Sequence, residues 1–297
     1  MKLVYEQLFI LYLFMAAGWL IGKKKNASHS EILSVLLVNV LLPCKVFLSF
    51  ATNFTVEYFK ARYTYLFASL ILISVLYVAT FFGSKLLTKH PYQRKVFRYC
   101  LLVTNYAYLG YVLIEAVFGS EMLADFIFFA IPFIIYTYSF GYSLLTGGEK
   151  PLKRLINPIT FAILLGMVVG LTSLPIPALL TKAMSMASGC VGPISMLLTG
   201  LTFAAFSGKI LFSNPKAYIF SALRLIIIPG VVFLICSLLK LDRVLPMMLL
   251  ITCMPCGLNS IAFPKLINED CKLSAQLTLL SHIFAVPTLL FWLSMIV

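Results

Sequence analysis

The residues of this chain best suited to chemistry lie in two apolar stretches that have no need of them for packing. Leu249–Pro264 reads LLITCMPCGLNSIAFP and places Pro255, Gly257 and Asn259, with Cys253 and Cys256, inside a segment long enough to cross a bilayer. Leu101–Gly110 reads LLVTNYAYLG and holds Asn105, Tyr108 and Gly110. A proline inside a helix removes a backbone donor and clashes with the preceding turn, and a glycine beside it loosens the helix further. Broken backbone at membrane depth is tolerated only where protein or a water-filled cavity surrounds it. Amides freed at the positive end of a half-helix hold an anion, and freed carbonyls hold a cation. A buried Asn needs hydrogen-bond partners, from a neighbouring helix or from a polar cavity and its contents. The chemistry that fits is binding of a small charged solute. Cys253-Met254-Pro255-Cys256 has C-x-x-C spacing, but a redox motif would want a βαβ context and a metal would want further ligands. With no Walker loop, no H-E-x-x-H, no G-x-S-x-G and three histidines in all, neither an enzyme nor a cofactor is expected.

Five more residues are candidates by position. Pro43 and Lys45 stand in a third apolar stretch, Leu41-Leu42-Pro43-Cys44-Lys45. A lysine inside a span is costly, so Lys45 either attracts an anionic substrate or snorkels to the interface. Arg224 could clamp a carboxylate with its planar fork or reach lipid headgroups, the latter being favoured. His282 is a proton-relay candidate by its ordinary pKa, although a histidine packed between helices is the more frequent case. Glu121 and Asp125 are read as residues of the outer loop between spans four and five, so no aspartate is expected to be membrane-embedded, which leaves Glu115, near an outer helix end, as the acidic candidate for such a relay.

The elements that must position these residues follow from composition. The 297 residues are 61% apolar and 11% charged, with a mean hydropathy of +1.01. Soluble domains carry about 25% charge, so the chain is read as an all-α, multi-pass membrane protein. The first apolar run, Leu8–Ile21, is followed rather than preceded by the Lys23–Lys25 cluster and lacks an Ala-x-Ala site, so it is read as a retained helix. Charges and Pro/Gly clusters divide the chain into ten spans, near 5–22, 29–52, 63–84, 96–118, 123–146, 155–173, 177–208, 215–239, 244–266 and 274–296. Fifteen basic residues fall in the odd loops: Lys23, Lys24, Lys25, Lys85, Lys89, Arg94, Lys95, Arg98, Lys150, Lys153, Arg154, Lys209, Lys216, Lys265 and Lys272. Five fall in the even loops: Lys60, Arg62, Lys182, Lys240 and Arg243. Basic loops stay cytoplasmic, so both termini are expected outside. Orientation accounts for the net charge of +13, and nucleic acid is not an expected partner.

The sequence also repeats weakly. LLVTN at Leu101–Asn105 is answered 148 residues later by LLITC at Leu249–Cys253, and Pro43 is answered by Pro193 at an offset of 150. Five spans per half is an odd number, so the second half would be inverted with respect to the first. The expected units are 1–146, a short cytoplasmic connection at 147–154, and 155–297. Paired, interrupted segments in inverted halves point to a transporter's binding site at the midplane. Gly166 and Gly170, a G-x-x-x-G pair, are expected to serve close helix packing.

At these residues the chain resembles the auxin efflux carrier family of transporters, and more closely its small microbial, malonate/malate permease-like members. The resemblance rests on Asn105–Gly110, Leu42-Pro43, and Met254-Pro255 with Asn259. It implies ten helices in two inverted repeats, with broken helices four and nine crossing at the centre, where a substrate anion binds. Asn105, Tyr108 and Gly110 would then belong to one crossing segment, and Pro255, Gly257 and Asn259 to the other. Ala107 and Val112 stand where the family often has glycine and proline, so the break in span four is expected to be mild or to rest on Gly110 alone. The implied activity is secondary active transport of a small organic anion, such as a carboxylate, by alternating access across the plasma membrane. H+ or Na+ coupling is open, as is a homodimer. The alternatives are a sodium-coupled symporter of the bile-acid type and a non-transporting membrane scaffold or sensor.

Overall fold

Apolar runs with no water to satisfy their amides must close their hydrogen bonds within the segment, and the chain accordingly forms helices. The computed structural model describes residues 1–24, 30–148 and 155–296, and no β-strand occurs among them. The expected connection at 147–154 lies outside the described residues from 149 onward, as do Lys25 and residue 297. In order, the helices are α1 (Lys2–Lys24), α2 (Ser30–Leu36), α3 (Leu42–Asn53), α4 (Val56–Leu87), α5 (Pro91–Leu102), α6 (Tyr111–Tyr136), α7 (Tyr142–Thr146) and α8 (Pro158–Thr172). There follow α9 (Ala178–Gly189), α10 (Val191–Ala204), α11 (Gly208–Phe212), α12 (Pro215–Ala222), α13 (Ile228–Leu238), α14 (Leu245–Cys253), α15 (Asn259–Lys265) and α16 (Lys272–Leu293).

Widened π-helical turns join several of these helices, at Leu37–Leu41, Tyr106–Gly110, Thr137–Gly141 and Leu223–Ile227. Two of them precede a proline by a few residues. Pro43 and Pro229 offer no N–H to the carbonyl four residues back, and the helix widens there instead of ending. Helix starts follow ordinary capping chemistry. The Thr55 hydroxyl accepts from the Tyr58 amide at 3.1 Å, and Asn157, ahead of Pro158, accepts from the Ile159 and Thr160 amides at 3.0 Å each.

Among the described residues seven helical stretches are long and apolar enough to cross a bilayer, against the ten spans read from the sequence. Three features account for the difference. Tyr106–Thr146 runs for 41 residues as one stretch, although Gly119 breaks it with a non-helical φ of 88° and ψ of 179°. Pro158–Thr172 is apolar but has 15 residues. The stretch expected as span nine is interrupted, with α14 ending at Cys253 and α15 starting at Asn259.

Close packing ties the two halves of the chain together. Helix α1 lies along α10, and α3 along α8. Both contacts depend on glycine. A Cβ at Gly170 would lie 2.5 Å from the Phe54 carbonyl oxygen, and one at Gly166 would lie 2.8 Å from that of Phe47, so the G-x-x-x-G pair does serve packing. At the other contact, Cβ atoms at Gly18 and Gly200 would overlap the carbonyl oxygens of Leu197 and Met15. Backbone cannot give way as a flexible side chain can. Gly200→Ala should therefore separate α1 from α10 and cost about 1–3 kcal/mol, the usual range for overpacking. Thermal melting of the purified variant measures this, and a wild-type midpoint would show that the helices tolerate the extra methyl.

Candidate functional site

The two interrupted stretches meet. Helix α5 closes at Leu102, where the Val103 amide bonds back to the Tyr99 carbonyl at 2.7 Å and the backbone turns extended (φ −93°, ψ 118°). Helix α14 closes at Cys253, and Met254 is likewise extended (φ −69°, ψ 147°). The two extended pieces run antiparallel: the Asn105 amide donates to the Pro255 carbonyl at 2.7 Å, and the Gly257 amide to the Val103 carbonyl at 3.2 Å. Amides that left their own helices thus satisfy each other across the crossing, as backbone removed from water requires. Gly257 permits the approach, since a Cβ there would stand 3.0 Å from the Thr104 carbonyl oxygen. The interruption in the first stretch therefore falls at Val103–Asn105, ahead of Ala107, and does not rest on Gly110 alone, one of the two expectations. Two consecutive donors, the Leu109 and Gly110 amides, converge on the Asn105 carbonyl at 3.2 and 3.1 Å and restart the helix.

Helix α16 clamps the crossing with side chains of one face. Asn105 Nδ2 lies 2.9 Å from His282 Nε2, and His282 Nδ1 lies 2.8 Å from the Thr278 carbonyl. A carbonyl only accepts, so Nδ1 carries the proton and Nε2 receives the Asn105 amide N–H. The histidine is then neutral, with its tautomer assigned from its partners. The Ser281 hydroxyl accepts from the Cys256 amide at 3.1 Å, and Thr278 and Ser260 hydroxyls pair at 3.0 Å. From α10, the Ser195 hydroxyl donates to the Tyr108 carbonyl at 2.9 Å. Thr278, Ser281 and Ser195 were not singled out in the sequence. The spacing of Thr278, Ser281 and His282 (i, i+3, i+4) places them on one helical face and was the available signal.

Arg224 is fully buried and does not reach headgroups, contrary to the favoured reading. It projects from the π turn Leu223–Ile227 and donates to the carbonyls of Leu101, at 3.0 Å, and Ile251, at 3.4 Å, in the last turns of α5 and α14. The carbonyl of Leu225, which Pro229 cannot serve, takes the Trp292 indole N–H at 2.7 Å.

Beside the crossing lies a narrow cleft lined by Leu42, Val46, Tyr106, Ala107, Tyr111 and Tyr138 among others. The half-buried Asn259 faces the Tyr138 hydroxyl. Five of the expected residues, Asn105, Gly110, Pro255, Gly257 and Asn259, gather at the crossing and this edge of the cleft. Tyr108 is buried alongside. Pro43 is half-buried next to the cleft-lining Leu42. Lys45 is buried and ion-paired with Glu115, so its ammonium does not snorkel. Asp125, read as an outer-loop residue, is also buried, 2.5 Å from Arg62, which lies equally near Glu121. Burial of that carboxylate depends on the partner arginine. Cys253 and Cys256 are free thiols at the break. Among the described residues no group of three or more His, Cys, Asp or Glu side chains is arranged to hold a metal ion.

Residues 3–152 and 144–293 each match the family of membrane transport proteins. No curated protein matches the chain.

Proposed function

The chain belongs to the membrane transport protein family, the auxin efflux carrier family of the sequence reading, and we propose that it is a secondary carrier moving a small organic anion by alternating access. The observation that carries this reading is the crossing itself: two apolar stretches, each interrupted by extended backbone, bonded to one another at Asn105–Pro255 and Val103–Gly257. A helix bundle gains no stability from two such breaks, and membrane proteins that have them use the exposed backbone and side-chain dipoles to bind solute. We read ten spans in two inverted repeats, 1–146 and 155–297. The packing of α1 on α10 and of α3 on α8 supports this, because a pseudo-twofold axis would pair the first span of each half with the second span of the other.

In this reading the anion lies against the crossing. Asn105 heads the half-helix that restarts at Tyr106, where backbone amides lack intrahelical partners, and Asn259 approaches from the other side beside Tyr138. Tyr108, Gly110, Pro255 and Gly257 shape the backbone there, while Pro43 and Lys45 flank it from the α2–α3 span. One bundle rocks against the other and exposes the site to each face of the plasma membrane in turn, with both chain termini outside.

Transport by the purified protein in liposomes is the test. Labelled mono- and dicarboxylates are offered with and without proton and sodium gradients. Saturable uptake and counterflow of at least one carboxylate are expected. No flux of any carboxylate would leave a scaffold or sensor, unsaturable flux a channel, and uptake abolished by replacing sodium with choline a sodium symporter.

A further inference from the structure

The crossing leaves two carbonyls without their helical partners. In an unbroken helix the Leu101 carbonyl would receive the Asn105 amide, but that amide is spent on the Pro255 carbonyl. The Ile251 carbonyl would receive the amide of residue 255, which is proline and has none. Both belong to the final turns of helices, α5 and α14, whose C-terminal ends each carry roughly half a negative charge from the aligned peptide dipoles. The Arg224 guanidinium bridges them, Nη1 to Leu101 and Nη2 to Ile251.

A fully buried guanidinium normally demands a carboxylate, and among the described residues none lies within ion-pairing distance of Arg224. Its Nε has no hydrogen-bond partner among them either. Two helix ends of about −0.5 each together balance one cation. We infer that Arg224 is a tethered counter-cation, filling a carbonyl-lined place between the C-terminal ends of α5 and α14 that would otherwise bind a free monovalent cation. The sodium dependence that such a place confers when it is vacant would then be absent from this chain and would be created by removing the side chain.

The test reads stability and needs no transport substrate, so its outcome is separate from the carrier reading. Full-length protein in detergent micelles is melted in choline chloride and in sodium chloride of equal ionic strength, with millimolar guanidinium chloride or urea added. The wild-type midpoint should be the same in both salts and unmoved by either additive. Arg224→Ala should melt lower by roughly 5 °C or more and regain part of the loss with guanidinium and with sodium. It should regain none with urea, which has guanidinium's size without its charge. Arg224→Lys, which keeps the charge, should melt above Arg224→Met, which does not. The inference is overturned if Arg224→Met melts with the wild type, if urea rescues as well as guanidinium, or if the lysine variant is no better than the methionine. Should the alanine and methionine variants fail to fold, a folded Arg224→Lys supports the inference and an equally unfolded one overturns it.

Discussion

Replacing Asn105 by alanine is expected to lower carboxylate uptake into liposomes by about 10- to 100-fold, the effect of losing one hydrogen bond to a charged ligand at roughly 1.5–3 kcal/mol. The substitution is selective because the crossing is held by the Asn105 backbone amide, bonded to the Pro255 carbonyl, and alanine keeps that bond. Only the side-chain amide and its contact with His282 Nε2 are lost. The melting midpoint should accordingly stay within a few degrees of wild type while transport falls. Asn259→Ala should act in the same direction through the opposite crossing segment, and Asn105→Asp should be the least active, since a carboxylate there repels an anion. Wild-type uptake by both alanine variants would remove the anion from the crossing.

A large stability effect from a single substitution that leaves the crossing untouched should come from Glu115→Gln. Lys45 is 3% exposed and pairs with Glu115, which is 41% exposed. Removing the carboxylate charge strands an ammonium in a nearly dry place. Breaking a fully buried pair costs about 3–5 kcal/mol, and the exposure of Glu115 reduces this, by solvent screening, to about 1–3 kcal/mol. Lys45→Met removes the buried cation and should cost less, and the double variant Lys45→Met/Glu115→Gln should be more stable than Glu115→Gln alone. Melting of the four proteins gives the coupling directly. Strictly additive losses would show that the two charges do not interact. Uptake by the same variants bears on Lys45 as an attractor of the anion: Glu115→Gln frees its positive charge and should lower the KM, whereas Lys45→Met should raise it.

The amino-acid sequence by itself determined the membrane class, the family and the two stretches within which helices fail. Those follow from short-range chemistry: apolar run length, the missing N–H of Pro255, the freedom of Gly257 and the closeness allowed by Gly166 and Gly170. The 148-residue echo also pointed to the correct pair of stretches, which the antiparallel bridge Thr104–Cys256 joins. What residues meet across the bundle was decided only by tertiary structure. Asn105 and His282 are 177 positions apart, Arg224 and Leu101 are 123 apart, and Lys45 and Glu115 are 70 apart. Nothing local distinguishes an arginine that reaches headgroups from one that reaches two orphaned carbonyls, because the difference lies in where other helices end. The exact position of the break in the first stretch was likewise decided by tertiary structure. Gly110 is its most permissive residue, yet the chain opens at Val103–Asn105, because the donors and acceptors that can replace the lost helical bonds stand at Pro255 and Gly257 of the partner segment.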